Sequence, residues 1–307
     1  MTGPQATWLP DGRRLHLNHG PIDLIVEAFG PPDEMRAAYA QAVAHFRTVL
    51  PELVGELAEL RKPAGPEPRA FAGPVARRME AAVAPLSTRF ITPMAAVAGA
   101  VAEEILAAML AGRRLRKAYV NNGGDIALHL APGETISAAV AGTGHGFADR
   151  LAVRAGDGVG GIATSGWRGR SLSLGIADAV TVLAATAAQA DAAATLIANA
   201  VDLPGHPGIT RVPACELAPE SDLGERPVTR AVGPLSSAAV GQALGAGFLL
   251  AEEFCREGLI VAAALFLAGQ ARVCGQLAFD RSEAGAFPRF GAPVEGQPRG
   301  AGFGGEA

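Results

Sequence analysis

Apolar and polar positions alternate from His16 to Ala28, broken once at Gly20-Pro21, and this period of two predicts a pair of short strands around a turn. Ile22, Leu24 and Val26 fall on one face of the second strand. Pro31-Pro32-Asp33 then predicts a helix start with Asp33 as its cap. Helical spacing runs from Glu34 to Leu50, and Pro51 predicts the opening of a second helix that ends at Leu60. Arg61 to Pro74 holds four prolines and two glycines and reads as a loop with freedom to move.

Further on, Val75 to Ala84 predicts a short helix and Met94 to Ala111 a long one, with Pro93 in its first turn. Ala95, Gly99 and Ala102 give the long helix a face small enough for close packing. Lys117 to Asn121 leads into Gly123-Gly124-Asp125 and a strand from Ile126 to Leu130. More strands are expected near Ile136 to Ala141, Arg150 to Arg154, Gly161 to Thr164 and Ala179 to Ala184. An Ala-rich helix spans Thr186 to Val201, and the five prolines of Asp202 to Arg230 predict a long loop. A helix from Ser237 to Arg256 and an apolar strand from Leu259 to Leu267 follow. Strands adjacent in sequence, with helices in blocks on either side, predict an α+β fold: a mixed or antiparallel sheet layered with helices, in one domain over residues 1–279. Residues 280–307 are rich in Gly and Pro and read as a disordered tail.

Composition narrows the function classes. Hydrophobic residues make up 49% and aromatics only 5%, so the core must be aliphatic. The net charge of −4, with no basic block, argues against a nucleic-acid partner. Cys215, Cys255 and Cys274 are far apart in sequence and make no CxxC pair, which predicts reduced thiols and no zinc site. Pro4, Asp11, Arg13 and Arg14 leave no apolar leader in the first twenty residues, and the Met94 to Gly112 stretch is interrupted by Glu103 and Glu104. A cytoplasmic protein without a membrane partner is therefore expected, while homo-oligomerisation is left open.

Three segments carry possible chemistry. Gly123 and Gly124 free the backbone to approach a ligand, and Asp125 can accept hydrogen bonds from a ring or ribose; the plain alternative is an Asn/Asp-capped turn. Thr164, Ser165 and Gly166, followed by Arg168 and Arg170, assemble hydroxyls, amides and guanidinium forks suited to phosphate. In an extended segment the two arginines would point the same way. The alternative is a surface loop with solvated arginines. Asp191 and Thr195 are a helical turn apart and surrounded by alanines, which suits a hard cation, or else the polar stripe of an amphipathic helix.

Taken together these segments resemble the ApbE family of Mg²⁺-dependent FAD:protein FMN transferases. Gly123-Gly124-Asp125 resembles that family's GGD motif, Ala163-Thr164-Ser165-Gly166 its ATSG loop, and Val180-Thr181-Val182 with Ala190-Asp191 and Ala194-Thr195 its VTV, AD and AT segment. The resemblance implies Mg²⁺ held by Asp191 and Thr195 with a main-chain carbonyl near Ala95, and a glycine at Gly99. A second resemblance, over nearly the whole chain to about residue 275, is to an ApbE-related family of methanogenic archaea and some proteobacteria. It rests on Thr92-Pro93-Met94-Ala95-Ala96-Val97-Ala98-Gly99, the ATSG loop and Gly175-Ile176-Ala177-Asp178, and it implies no reaction.

Two departures separate the chain from the transferases. The His and Asp-Pro pair that they insert before the Val180 strand is missing, and Ala98 stands where they carry lysine. The resemblance thus implies an enzyme using Mg²⁺ on a small phosphate-bearing ligand, FAD or a related nucleotide. The same departures also suit a binder of a flavin or pterin-type cofactor linked to one-carbon metabolism, or an assembly partner with a degenerate pocket. Catalysis itself is left undecided, and no nucleophile can be named.

Overall fold

The computed structural model describes residues 3–139, 150–275 and 279–280. Gln5–Trp8 (β1), Leu15–His19 (β2) and Ile22–Phe29 (β3) form an antiparallel meander, so the predicted hairpin is present and gains an outer strand. The alternating Leu15, Leu17, Ile22, Leu24 and Val26 are buried on one face.

Pro32–Leu60 is one helix (α1), not two. Pro51 removes one amide from the helical ladder, but Phe46 and Val49 before it and Leu53 and Leu60 after it are all buried, so packing holds both halves on one axis. Pro31 occupies the cap position, and Asp33 and Glu34 instead lie in the first turn, where acidic side chains oppose the helix dipole. The loop after α1 is tied down. Arg69 donates to the buried Glu80 carboxylate at 2.8 Å and to the Glu59 carbonyl at 2.7 Å.

Pro74–Val83 (α2) precedes a 3-10 turn at Pro93–Ala96, from which Val97–Leu110 (α3) continues. The span Pro93–Leu110 is apolar and long enough to cross a membrane by composition, yet 56% of it is buried inside this fold. Its two glutamates are engaged: Arg78 pairs with both Glu103 and Glu104, and His45 meets Glu104 at 2.9 Å.

Lys117–Asn122 (β4), Asp125–Leu130 (β5), Thr135–Ala139 (β6), Arg150–Arg154 (β7), Gly161–Ser165 (β8) and Ala179–Ala184 (β9) follow, then Ala187–Ala200 (α4) with Thr186 as its cap. The expected loop at 202–230 contains a hairpin of Ile209–Pro213 (β10) and Pro227–Val232 (β11), joined through the short helix Ala214–Leu217 (α5). Its prolines obscured it: Pro213 and Pro227 face each other at the hairpin's end, where a missing amide costs little. Ser237–Arg256 (α6), Ala262–Leu267 (β12), Gln270–Gly275 (β13) and the two residues Phe279–Asp280 (β14) complete the order.

Nine strands make one antiparallel sheet in the order β1-β2-β3-β4-β5-β8-β9-β12-β13. The fold is α+β. One face carries the main core with α1, α2, α3, α4 and α6. The other face packs Leu128, Ile162, Leu183 and Ala264 against Ala138, Leu151 and Val153 of a small sheet ordered β14-β7-β6. The tail expected over 280–307 and the strand end at 140–141 lie, apart from Asp280, outside the described residues.

Candidate functional site

The site forms where the middle strands end. Gly123 and Gly124 take φ values of 65° and 119° in the two-residue turn between β4 and β5, a backbone that side-chain-bearing residues rarely adopt. Asn122 and Asp125 face each other across the turn. The Asn122 side chain donates to the Ala98 carbonyl at 3.1 Å, which fixes the turn against the start of α3.

On the other side β5 parts from β8 after the Ile126–Ile162 pair. The Thr164 amide, left without a strand partner there, donates to Asp125 Oδ1 at 3.1 Å. The Thr164 hydroxyl meets that of Thr181 at 2.9 Å across the β8–β9 ladder. Asp125 therefore does local work as a carboxylate acceptor, while its other oxygen has no donor among the described hydrogen bonds.

Helix α4 brings in the second carboxylate. Its Ala187, Ala188, Ala190, Ala192, Ala193 and Ala194 are all buried, so the backbone packs closely on α3. Gly99 makes this approach possible, since a Cβ there would lie 2.2 Å from the Ala187 carbonyl oxygen. Asp191 Oδ2 then accepts the Gly99 amide at 3.0 Å, at the N-terminus of α3. The reading of Asp191 as part of a solvent-facing polar stripe is thereby set aside.

Asp191 thus sits at the start of α3, and the Asn122–Ala98 bond ties the turn that leads into Asp125 to the same helix start. Burial pushes the Asp125 carboxyl up to about 7, while the Thr164 amide and the Arg170 guanidinium pull the other way. Burial also raises Asp191, and the negative charge of Asp125 raises it further, against the amides of Gly99 and Ala98. The acid at Asp125 thus adds to the cost of a negative charge on Asp191. A cation or a proton would relieve it.

Arg170 and Arg168 take different partners. Gly166 to Ser171 is a turn, not an extended segment, with the Gly169 amide closing on the Gly166 carbonyl. Arg170 lies on Gly123, where a Cβ would sit 1.9 Å from its Nη2 atom, and so borders Asp125. Arg168 instead bonds Asp178 and stacks on Trp167, 4.9 Å from the ring centre. Ser165 ends β8 and is partly exposed. Gly166 is buried, and a Cβ there would come within 2.6 Å of the Asp178 carbonyl, so its smallness serves packing.

Thr195 follows Asp191 by one turn of α4 and is partly exposed, and the 3-10 turn holding Ala95 packs against the same helix. Among the described residues no group of three His, Cys, Asp or Glu side chains is gathered for a metal ion. A cleft of about 460 Å³ lined by His129, Arg154 and Gly158 opens at the opposite end of β5 and shares no residue with this site. Motif reading gives Asn122 no role, and Thr181, named only as part of the Val180-Thr181-Val182 segment, pairs its hydroxyl with that of Thr164. The buried alternation of β4, which includes Ala118 and Val120, marks Asn122 as facing inward.

The family model described as AbpE bacteria matches residues 6–273. Among curated relatives, the UPF0280 protein of Methanopyrus kandleri is 40% identical over 127 residues, covering 41% of this chain and 48% of its own length. The UPF0280 protein of Methanocaldococcus jannaschii is 43% identical over 116 residues, covering 36% and 45%. That of Methanothermobacter thermautotrophicus is 36% identical over 114 residues, covering 37% and 44%. The chain thus spans less than half the length of each of these relatives.

Proposed function

This chain belongs to the AbpE bacteria family, and on that footing we propose that it is an ApbE-like protein that binds a phosphate-bearing cofactor, FAD or a related nucleotide, together with Mg²⁺, and acts on its phosphoanhydride. The observation that carries the reading is Asp191 at the Gly99 amide that opens α3, with Asp125 near enough to act on its charge and Arg170 lying on the Gly123 turn beside Asp125. A cation-seeking pair of acids beside an exposed guanidinium is what a metal-bound diphosphate requires.

The donor set fits Mg²⁺. It is made of hard oxygens only, and among the described residues the one cation beside the two carboxylates is Arg170, next to Asp125. Asp191 would hold the ion with Thr195 and the Ala95 carbonyl, and Asp125 would stand beside it or orient the nucleoside. When bound, the ion would neutralise the diphosphate and polarise it for attack. Arg170 would bind a phosphate oxygen, with Ser165 and Thr164 bordering the same strand end. The Asn122–Ala98 bond would keep the Gly-Gly turn at a fixed distance from α3.

A second reading, cofactor binding without turnover, is supported by Ala98 and by the histidine-free run from Arg168 to Asp178. One experiment separates the two. The purified protein is titrated with FAD with and without Mg²⁺, then incubated and the products resolved by chromatography. Mg²⁺-dependent binding with release of FMN and AMP supports the enzyme, and binding with intact FAD supports the binder. Absence of Mg²⁺-dependent FAD binding sinks both. With a threonine acceptor domain present, no covalent flavin is expected on the acceptor.

A further inference from the structure

The cysteines stand apart in sequence, but the fold brings two of them together. Cys255 lies in the last turn of α6, and Cys274 lies in β13, opposite Ala263 of β12. Their sulfur atoms are 3.5 Å apart. At that separation the two sulfurs are in direct contact, and a bond between them needs an approach to about 2.05 Å. All three thiols are free, as expected, but strand pairing and helix packing bring two of them close, which sequence spacing does not reveal.

We propose that Cys255 and Cys274 are a redox-modification site that forms a reversible intramolecular disulfide. The natural oxidant is a small-molecule disulfide. Cys255 is the partly exposed member and Cys274 the buried one, so the order of events follows from access. The Cys255 thiolate attacks one sulfur of the oxidant, forms a mixed disulfide and expels one thiolate. The Cys274 thiolate then attacks Cys255 Sγ and expels the second. The two protein thiols lose two electrons and two protons, and the oxidant is reduced to two thiols.

Burial raises both thiols, Cys274 to about 12, so the reaction is expected to be slow and its product sheltered from reduction. The bond would clamp the outermost strand of the large sheet, β13, to the end of α6. Cys215 is not part of the pair. It lies on α5, with its sulfur 3.8 Å from a Glu225 carboxylate oxygen.

The test is to incubate the full chain overnight with excess oxidised glutathione, alkylate the remaining thiols, digest it, and map the peptides by mass. The expected result is a Cys255–Cys274 linked peptide, about two mass units below the sum of the reduced pair, that dithiothreitol abolishes. The oxidised protein should also melt several degrees higher than the reduced one. Cys215→Ser should leave the linked peptide unchanged, whereas Cys274→Ser should stop at a glutathione adduct on Cys255. Failure of the linked peptide to form in the wild-type chain, or pairing of either residue with Cys215, overturns the proposal.

Discussion

Asp178 and Asp191 are both carboxylates set among apolar residues, and the fold treats them in opposite ways. Asp178 accepts from Trp167 Nε1 at 3.3 Å, from the Ala268 amide at 2.7 Å and from Arg168. Every oxygen has a donor, and a cation balances the charge. Asp191 has main-chain amides at the start of α3, no cationic side-chain partner among the described residues, and a second acid as neighbour. The first arrangement is closed: it staples the turn after β8 to the β12–β13 hairpin. The second is electrostatically open. Burial and the neighbouring acid both disfavour a charge on Asp191, so its carboxyl is neutralised either by a proton or by a bound cation, and the second course makes Asp191 the place to test for binding.

The comparison breaks most directly at Asp191. Asp191→Ala should weaken Mg²⁺-dependent FAD binding by about a hundredfold or more, equivalent to ~2.7 kcal/mol. Calorimetry giving equal Mg²⁺ affinity in variant and wild type would remove the metal role altogether. The stability of the variant need not fall, because two amides lose an acceptor while an unfavourable pair of acids is relieved.

Asp178→Ala should behave in the reverse sense. Three donors lose their acceptor, one of them the Ala268 amide in a backbone with positive φ of 46°. A loss of about 1–3 kcal/mol in urea unfolding is expected, with the Mg²⁺ dependence of ligand binding retained. If Asp178→Ala leaves stability unchanged but abolishes the metal response, the roles assigned to the two acids are exchanged.

Arg170 sharpens the picture on the ligand side. Arg170→Ala should weaken FAD binding about tenfold, ~1.4 kcal/mol, and should weaken riboflavin binding much less, because only FAD carries phosphates. Fluorescence titrations with both ligands decide this. Equal losses would mean that Arg170 reads the ring system or merely supports the Gly123 turn.

Much of this organisation could be read in the residues before any coordinates. The period-two run at His16–Ala28, the Ala-rich helix and the α+β layering with a mixed or antiparallel sheet all follow from local patterns that tertiary packing reinforces. Pro51 misled because buried residues on both sides of it outweigh one lost hydrogen bond. The β10–β11 hairpin was hidden by prolines at its closed end. At the site, Gly123, Gly124, Asp125 and Asp191 could be named from motif and composition, but their union could not, since Asn122 and Gly99 join them through contacts distant in sequence. The Cys255–Cys274 pair was invisible for the same reason.

The smallest expected effect belongs to Arg168, and it tests the turn itself. An extended chain would put Arg168 and Arg170 on one side and make them equivalent phosphate ligands. The turn after Gly166 separates them, so that Arg170 borders Asp125 while Arg168 is spent on Asp178 and on the face of Trp167. The Arg168 side chain is 63% exposed, so its ion pair is screened by water and contributes little. Asp178 also keeps its two other donors when the guanidinium is removed. Arg168→Ala should therefore change FAD affinity less than about threefold, ~0.6 kcal/mol, with a similarly small change in urea midpoint. A loss equal to that of Arg170→Ala would show that the turn opens on binding and that the two arginines grip the ligand together, which would replace the division drawn between the Asp178 staple and the Asp191 carboxyl.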